Sequence, residues 1–199
     1  MNAWWFVLAA VGLIVVSSSV AKARKPTIGP GEVRVFHAVN GLPNLLFPIL
    51  WLPMQLGNLV VGTAAGLAVA AVDRDPRVAV GVVLAMLLKL VTERIVRRKM
   101  AGHLAVRQRP GTSQIDAVLR GKDVPLSGVS FPSGHVILVA AVSAVVAPIL
   151  PAHLWWLPAA LTLVVMIGRV YVGAHNPLDV TAGLGAGLVL GGIVAAFVN

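Results

Sequence analysis

GRVYVGAHNPLD, residues 168–179, closes one apolar run and opens another. Before it, residues 154–172 are almost wholly apolar, and after it residues 177–198 are too. Each run approaches the roughly 20 residues that a helix needs to cross a bilayer. The joint between them holds Arg169, His175 and Asp179. Ionisable groups are expensive beside hydrocarbon, so their presence there points to function. This one joint therefore suggests both a membrane bundle and its site.

Working outward, further apolar runs lie at 4–20, 45–72, 78–97 and 133–150. The expected architecture is an all-α integral membrane bundle of six transmembrane helices. The 45–72 run is long and carries Pro48 and Pro53, so its first turns should kink or lie at the interface. Trp4, Trp5, Trp51, Trp155 and Trp156 fall near expected span ends, where interfacial tryptophans gather. Residues 26–44 begin with Pro26, Gly29, Pro30 and Gly31 and continue through Glu32 to Val39. That order reads as a linker into a short amphipathic helix on the membrane surface. Residues 1–25 are read as an N-terminal transmembrane helix and 26–199 as one membrane domain. Ala21-Lys22-Ala23 has the look of a signal cleavage site, but no basic residue precedes the apolar run, so the helix is expected to be retained.

Composition agrees with this reading. Of the 199 residues 58% are hydrophobic and only 12% charged, too few for the surface of a soluble domain. The absence of cysteine excludes disulfides, thiolate metal sites and a cysteine nucleophile. The formal charge of +9 lies mostly between apolar runs, where basic loops set topology or meet anionic headgroups. Nucleic acid is not an expected partner. Residues 98–131 form the one long polar segment, and a loop of that length in a compact bundle is usually functional. Gly183, Gly187 and Gly191 recur every four residues. Packing inside the protein's own bundle is the first reading of that face and a homodimer seam the second.

Two further clusters accompany the opening stretch. Pro132-Ser133-Gly134-His135 stands where the 133–150 run begins. Proline suits the first turn of a helix, and the free N–H groups there point at the same spot as the helix dipole, which favours a phosphate. Gly134 allows close backbone approach, Ser133 adds a hydroxyl, and His135 can offer a proton. Arg109-Pro110 lies in the polar loop, with Arg97, Arg98, Lys99 and Arg107 nearby. Most of these neighbours read as topology charges. In the last cluster Asn176 can cap the final helix and Pro177 fits its first position. Asp179 could then reach back to one imidazole nitrogen of His175 and leave the other free to attack. Arg169 offers a fork of donors suited to phosphate oxygens.

Together the three clusters resemble the type 2 phosphatidic acid phosphatase superfamily, over roughly residues 36 to 195. Its pattern is a lysine, six residues and Arg-Pro; then Pro-Ser-Gly-His; then Ser-Arg, five residues, His, three residues and Asp. The second block is matched in full, and the third in spacing with Gly168 in place of serine. The first departs, because Gly102 stands where the lysine belongs. Lys99, Arg97 or Arg98 could supply that charge, and Lys89, Glu93 and Arg97 share one helical face.

The resemblance implies a metal-independent, cofactor-free membrane lipid phosphatase acting on a phosphomonoester or diphosphate. It implies His175 as the nucleophile forming a phosphohistidine, Asp179 as its orienter and His135 as general acid. Arg109, Arg169, Ser133, Gly134 and one of Lys99 or Arg97 would hold the phosphate. Expected partners are the membrane and a lipid phosphate such as a polyprenyl diphosphate, a polyprenyl-phosphate sugar phosphate or a phospholipid phosphate. A non-catalytic lipid-phosphate binder or flippase with the same pocket is the competing class. The expected location is the cell membrane, multi-pass. Lys22, Arg24, Lys25 and Arg34 in the first loop outnumber Arg74 and Arg77 between the second and third spans, which favours a cytoplasmic site.

Overall fold

The computed structural model describes residues 4–25, 27–103, 107–122 and 124–198. Among them the regular structure is helical, with one isolated antiparallel bridge between Gln108 and Val129. The α-helices are α1 (Trp4–Ala23), α2 (Pro30–Asn40), α3 (Phe47–Met54), α4 (Leu59–Asp73), α5 (Pro76–His103), α6 (Pro110–Ser113), α7 (Gly134–Val146), α8 (Trp156–Tyr171) and α9 (Pro177–Val198).

The helix α9 is the spine of the bundle, and its small residues explain why. A Cβ on Gly183, Gly187 or Gly191 would meet Ser133 O, Ala140 Cβ and Ala141 O of α7 and its N-terminal approach at 2.6–2.7 Å. One on Gly185 or Gly192 would meet Val16 N at 2.5 Å and Trp5 O at 2.8 Å, both on α1. Glycine on two faces thus lets α9 press backbone to backbone between α1 and α7. The Gly183–Gly191 face is filled by α7 of the same chain, which leaves no room for a second copy there; the homodimer reading of that face is set aside. Behind α7, Val78, Val82 and Ala85 of α5 join Leu138, Val145 and Ala70 in a fully apolar cluster.

Among the described residues three helices are long and apolar enough to cross a membrane, Trp4–Ala23, Ala152–Tyr171 and Pro177–Val198, or four if a bent pair counts as one span. The six-span expectation is not reproduced on those grounds. Its second span divides, because Asn58 interrupts the 45–72 run in extended conformation and caps α4, accepting from Val60 N at 3.0 Å. The result is a short α3 and a 15-residue α4. The third run continues beyond 97 into a 28-residue α5, whose apolar face is broken by Lys89 and Glu93. Residues Pro30–Asn40 and Asn44–Gly57 meet at a 76° bend.

The short helix expected before residue 44 forms as α2, and it is anchored in the protein. Phe36 is fully buried, and Asn40, buried at its C-terminal end, donates to Val118 O and Tyr171 O, both at 2.9 Å, and accepts from Val118 N. These bonds tie α2 to the polar loop and to the end of α8. The loop itself folds back on residues 107–109: Arg109 N donates to Gly128 O and Ser130 N to Arg107 O, both at 3.0 Å.

Candidate active site

The middle of α5, the start of α7, the end of α8, the turn before α9 and the polar loop converge on a cavity of about 260 Å³. Lys89, Glu93, Arg109, His135, Arg169 and His175 all line it, together with Gly134 and the Val129–Pro132 segment. Residues up to 86 positions apart in the chain, Lys89 and His175, thus face one polar space.

Each side chain is held by local structure. After α8 the chain turns through Gly173, whose φ of 75° is left-handed and accessible to glycine without strain. A Cβ there would also meet Val118 O at 2.7 Å. Ala174 N and His175 N donate back to Arg169 O at 3.1 and 3.3 Å, which fixes His175 beside Arg169. Arg109 reaches across from the loop and donates to Ala174 O at 2.9 Å. Ser133 N donates to Asp179 O at 3.0 Å, locking the start of α7 to the first turn of α9.

The start of α9 differs from the sequence expectation in its capping. Asp179, at the third helical position, reaches back to accept from Asn176 N at 2.8 Å, as a capping-box acid does. The Asn176 side chain instead accepts from Gln114 at 2.7 Å, and the Leu178 N–H is taken by Glu32 Oε1 at 2.9 Å. The remaining Asp179 oxygen accepts from Arg107 Nε at 3.1 Å, and the same guanidinium binds Glu32 at 2.5 Å. Arg107, expected to be a topology charge, is therefore a buried bridge between α2 and α9. His175 Nδ1 stands 3.8 Å from Asp179 Oδ2, just outside hydrogen-bond range. Burial lowers the affinity of His175 for a proton below the ordinary histidine value, only partly offset by Asp179; Arg169 and Arg109 add to the lowering. The imidazole is thus neutral near pH 7, the state in which a ring nitrogen keeps its lone pair.

Of the residues singled out in the sequence, His135, His175, Arg109, Arg169 and Gly134 line the cavity and Asp179 stands behind His175. Ser133 does not line it: the residue is fully buried, with its Cβ 3.4 Å from the Cβ position of Gly183. Lys99 does not line it either, being exposed near the end of α5. The side chain of Arg97 lies outside the described residues. Sequence reasoning missed Lys89, buried in the cavity wall and paired with Glu93 at 3.0 Å, although it placed both on one face of the helix. It also missed the Glu32–Arg107 pair.

The model of the PAP2 superfamily matches residues 78–199. The chain belongs to that superfamily. The match begins within α5 and takes in every residue that lines the cavity, leaving out α1 to α4. The crystal structure of LpxE from Aquifex aeolicus is similar at a TM-score of 0.70 and 22% identity, covering 82% of this chain and 93% of that one. The PAP2 type phosphatidylglycerolphosphate phosphatase from Bacillus subtilis aligns over 98% of this chain and 92% of its own, at 22% identity and a TM-score of 0.41. No curated protein matches the chain. The PAP2 fold and the apolar helices make this a membrane protein.

The structure also accounts for the PAP2 serine position occupied here by Gly168. A Cβ at Gly168 would lie 2.5 Å from Met54 Cγ and 2.6 Å from its Sδ. The thioether of α3 fills the space that a serine side chain would need. On the other side Gly57 abuts His135, whose Cβ would be 2.6 Å from a glycine Cβ. The end of α3 and the turn that follows it thus pack under Gly168 and His135.

Proposed function

We propose that the protein is a membrane lipid phosphatase that removes a phosphoryl group through a phosphohistidine. The observation that carries this is the shared cavity. Two imidazoles and two guanidiniums from three separate stretches of the chain face one space, and a buried carboxylate stands behind one imidazole. His175 attacks phosphorus with its free ring nitrogen as the bond to the lipid oxygen breaks. His135 donates the proton to that leaving oxygen and then takes one from the water that hydrolyses the phosphohistidine. Asp179 closes the 3.8 Å gap as positive charge develops on His175, since catalytic hydrogen bonds often tighten only with substrate bound. Arg109, Arg169 and the N–H groups at Gly134 hold the equatorial oxygens, where charge is spread in the transition state.

Lys89 takes the place of the PAP2 lysine. It stands twenty positions before Arg109 instead of seven, yet its side chain lines the same cavity. The substrate is a lipid whose head reaches the ends of α7–α9 and whose chains stay in the bilayer; polyprenyl diphosphates, polyprenyl-phosphate sugar phosphates and phospholipid phosphates are the classes to assay. The assay is release of inorganic phosphate by purified wild type and His175→Ala, with radiolabelled phosphate trapped on the protein by acid-sparing quench. Loss of both release and label in His175→Ala is expected. Undiminished release would overturn the nucleophile assignment. Binding without release in the wild type would instead identify a non-catalytic lipid-phosphate binder or flippase.

Six crossings remain the reading for the topology, with residues 1–25 the first and the site on the cytoplasmic side. Glu32 of α2 bonds to the start of α9, so the first loop shares the side of the site. Single cysteines at Thr27 and Asp75 should label from outside intact cells at position 75 alone. Labelling confined to position 27 would reverse the orientation.

A further inference from the structure

Glu93 has no place in the phosphate chemistry, yet it occupies the cavity. A row of cations (Lys89, Arg109 and Arg169) and the first turn of α7 make a cradle for an anion, and Glu93 sets a negative charge inside it. Its position is specific. A Cβ at Gly134 would overlap Glu93 Oε1 and lie 2.8 Å from Cδ, so the carboxylate sits in the opening that glycine leaves at the start of α7. The other oxygen, Oε2, pairs with Lys89 Nζ at 3.0 Å. Glu93 therefore engages the same lysine and the same helix start that a phosphate would.

We infer that Glu93 is an internal anion that competes with phosphate for the cradle and so sets how tightly substrate and product are held. This rests on the cavity being the phosphate site. A phosphate entering the cradle must move the carboxylate off Gly134 and share Lys89, because two anions at contact distance repel strongly where solvent is scarce. The lipid substrate brings binding from its chains to offset that displacement. Free inorganic phosphate does not, so the device favours product release over product retention. A uniform gain in affinity for substrate and product would lower KM without raising kcat. Glu93 on this view weakens the hold on substrate and product alike, and so speeds the departure of free phosphate.

A second role would predict the opposite sign. If Glu93 served to hold Lys89 in position, neutralising it would loosen the lysine and weaken phosphate binding. The test is calorimetric titration of inorganic phosphate into detergent-purified full-length wild type, Glu93→Gln and Glu93→Asp, alongside phosphate release from a lipid phosphate and product inhibition by phosphate. Glu93→Gln should bind phosphate at least about tenfold tighter, about 1.4 kcal/mol. Its inhibition constant should fall in parallel, with a lower KM for the lipid. Glu93→Asp, which withdraws the carboxylate from Gly134 by one methylene, should shift the same way by less, and it reports should the glutamine variant fail to fold. Unchanged or weaker binding in the folded variants, with a wild type that still releases phosphate, would overturn the role of Glu93 alone. A wild type that neither binds nor releases phosphate would overturn the phosphatase reading and this inference with it.

Discussion

Replacing Arg107 with methionine tests the frame that holds the site. The guanidinium is 2% exposed and serves two carboxylates, Asp179 Oδ1 at 3.1 Å and Glu32 Oε1 at 2.5 Å. Asp179 has no exposure at all, while the Glu32 side chain keeps 14%. Methionine keeps the apolar stem and removes the charge. Asp179 would then retain the Asn176 N–H but lose its buried cation, and Glu32 would retain the Leu178 N–H and some water. Stranding one member of a buried pair costs about 3–5 kcal/mol. The loss falls mainly on Asp179, since Glu32 is partly solvated.

Denaturant titration in detergent, followed by tryptophan fluorescence, measures the change. Glu32→Gln should cost less, about 1–2 kcal/mol, because Arg107 keeps Asp179 and the amide oxygen can still accept from Leu178 N. The double variant should be less damaging than the sum of the singles, by about 0.5–3 kcal/mol, as expected for members of one network. An Arg107→Met variant within about 0.5 kcal/mol of wild type would behave like a surface substitution and refute the bridge.

Three other outcomes follow from packing and charge. Gly168→Ser should destabilise by about 1–3 kcal/mol through overpacking on Met54, and Met54→Ala in the same chain should recover part of it; equal stability of Gly168→Ser and wild type would show that Met54 yields freely. The His175 imidazole, followed by nitrogen NMR with His175→Gln for assignment, should titrate below 6.5, so the unfolded chain takes up a proton first and stability falls as pH drops through that value; a titration at or above 6.5 would contradict the burial argument. Asn40→Ala should cost about 1–3 kcal/mol by removing the acceptor of Val118 N and the donor to Val118 O, while Tyr171 O keeps Arg120 Nη1 at 2.8 Å, measured by the same unfolding titration.

The last cluster and Pro132-Ser133-Gly134-His135 could be read because their chemistry is local: a histidine, an arginine and a carboxylate within eleven positions, and a helix start announced by proline. What could not be read depended on long-range approach. Lys89 lies inside an apolar run, where a charge looks like an interruption, and only the packing of α5 against α7 turns it inward. Arg107 looked like any loop cation because its partners, Glu32 and Asp179, are 75 and 72 positions away. Ser133 was assigned a phosphate contact from its motif, yet the close approach of Gly183 draws its side chain to the α7–α9 seam. The break at Asn58 did have a local signal, since an asparagine inside an apolar run is a ready helix cap.

The failures at Lys89 and Arg107 share one cause, which is that this bundle pairs charges inside the walls of its site. A lysine thirteen positions into α5 would be costly beside lipid, as would the glutamate one turn later. Pairing them at 3.0 Å and opening both to the cavity makes each tolerable. The same economy governs the other wall, where Arg107 neutralises the buried Asp179 that stands behind His175. Each side of the cavity therefore carries an acid matched to a base. Arg109 and Arg169 also line the cavity, entering from loop and helix end. An anion reaching the cradle meets those two guanidiniums together with the Lys89–Glu93 pair. That balance suits an enzyme that must let phosphate go.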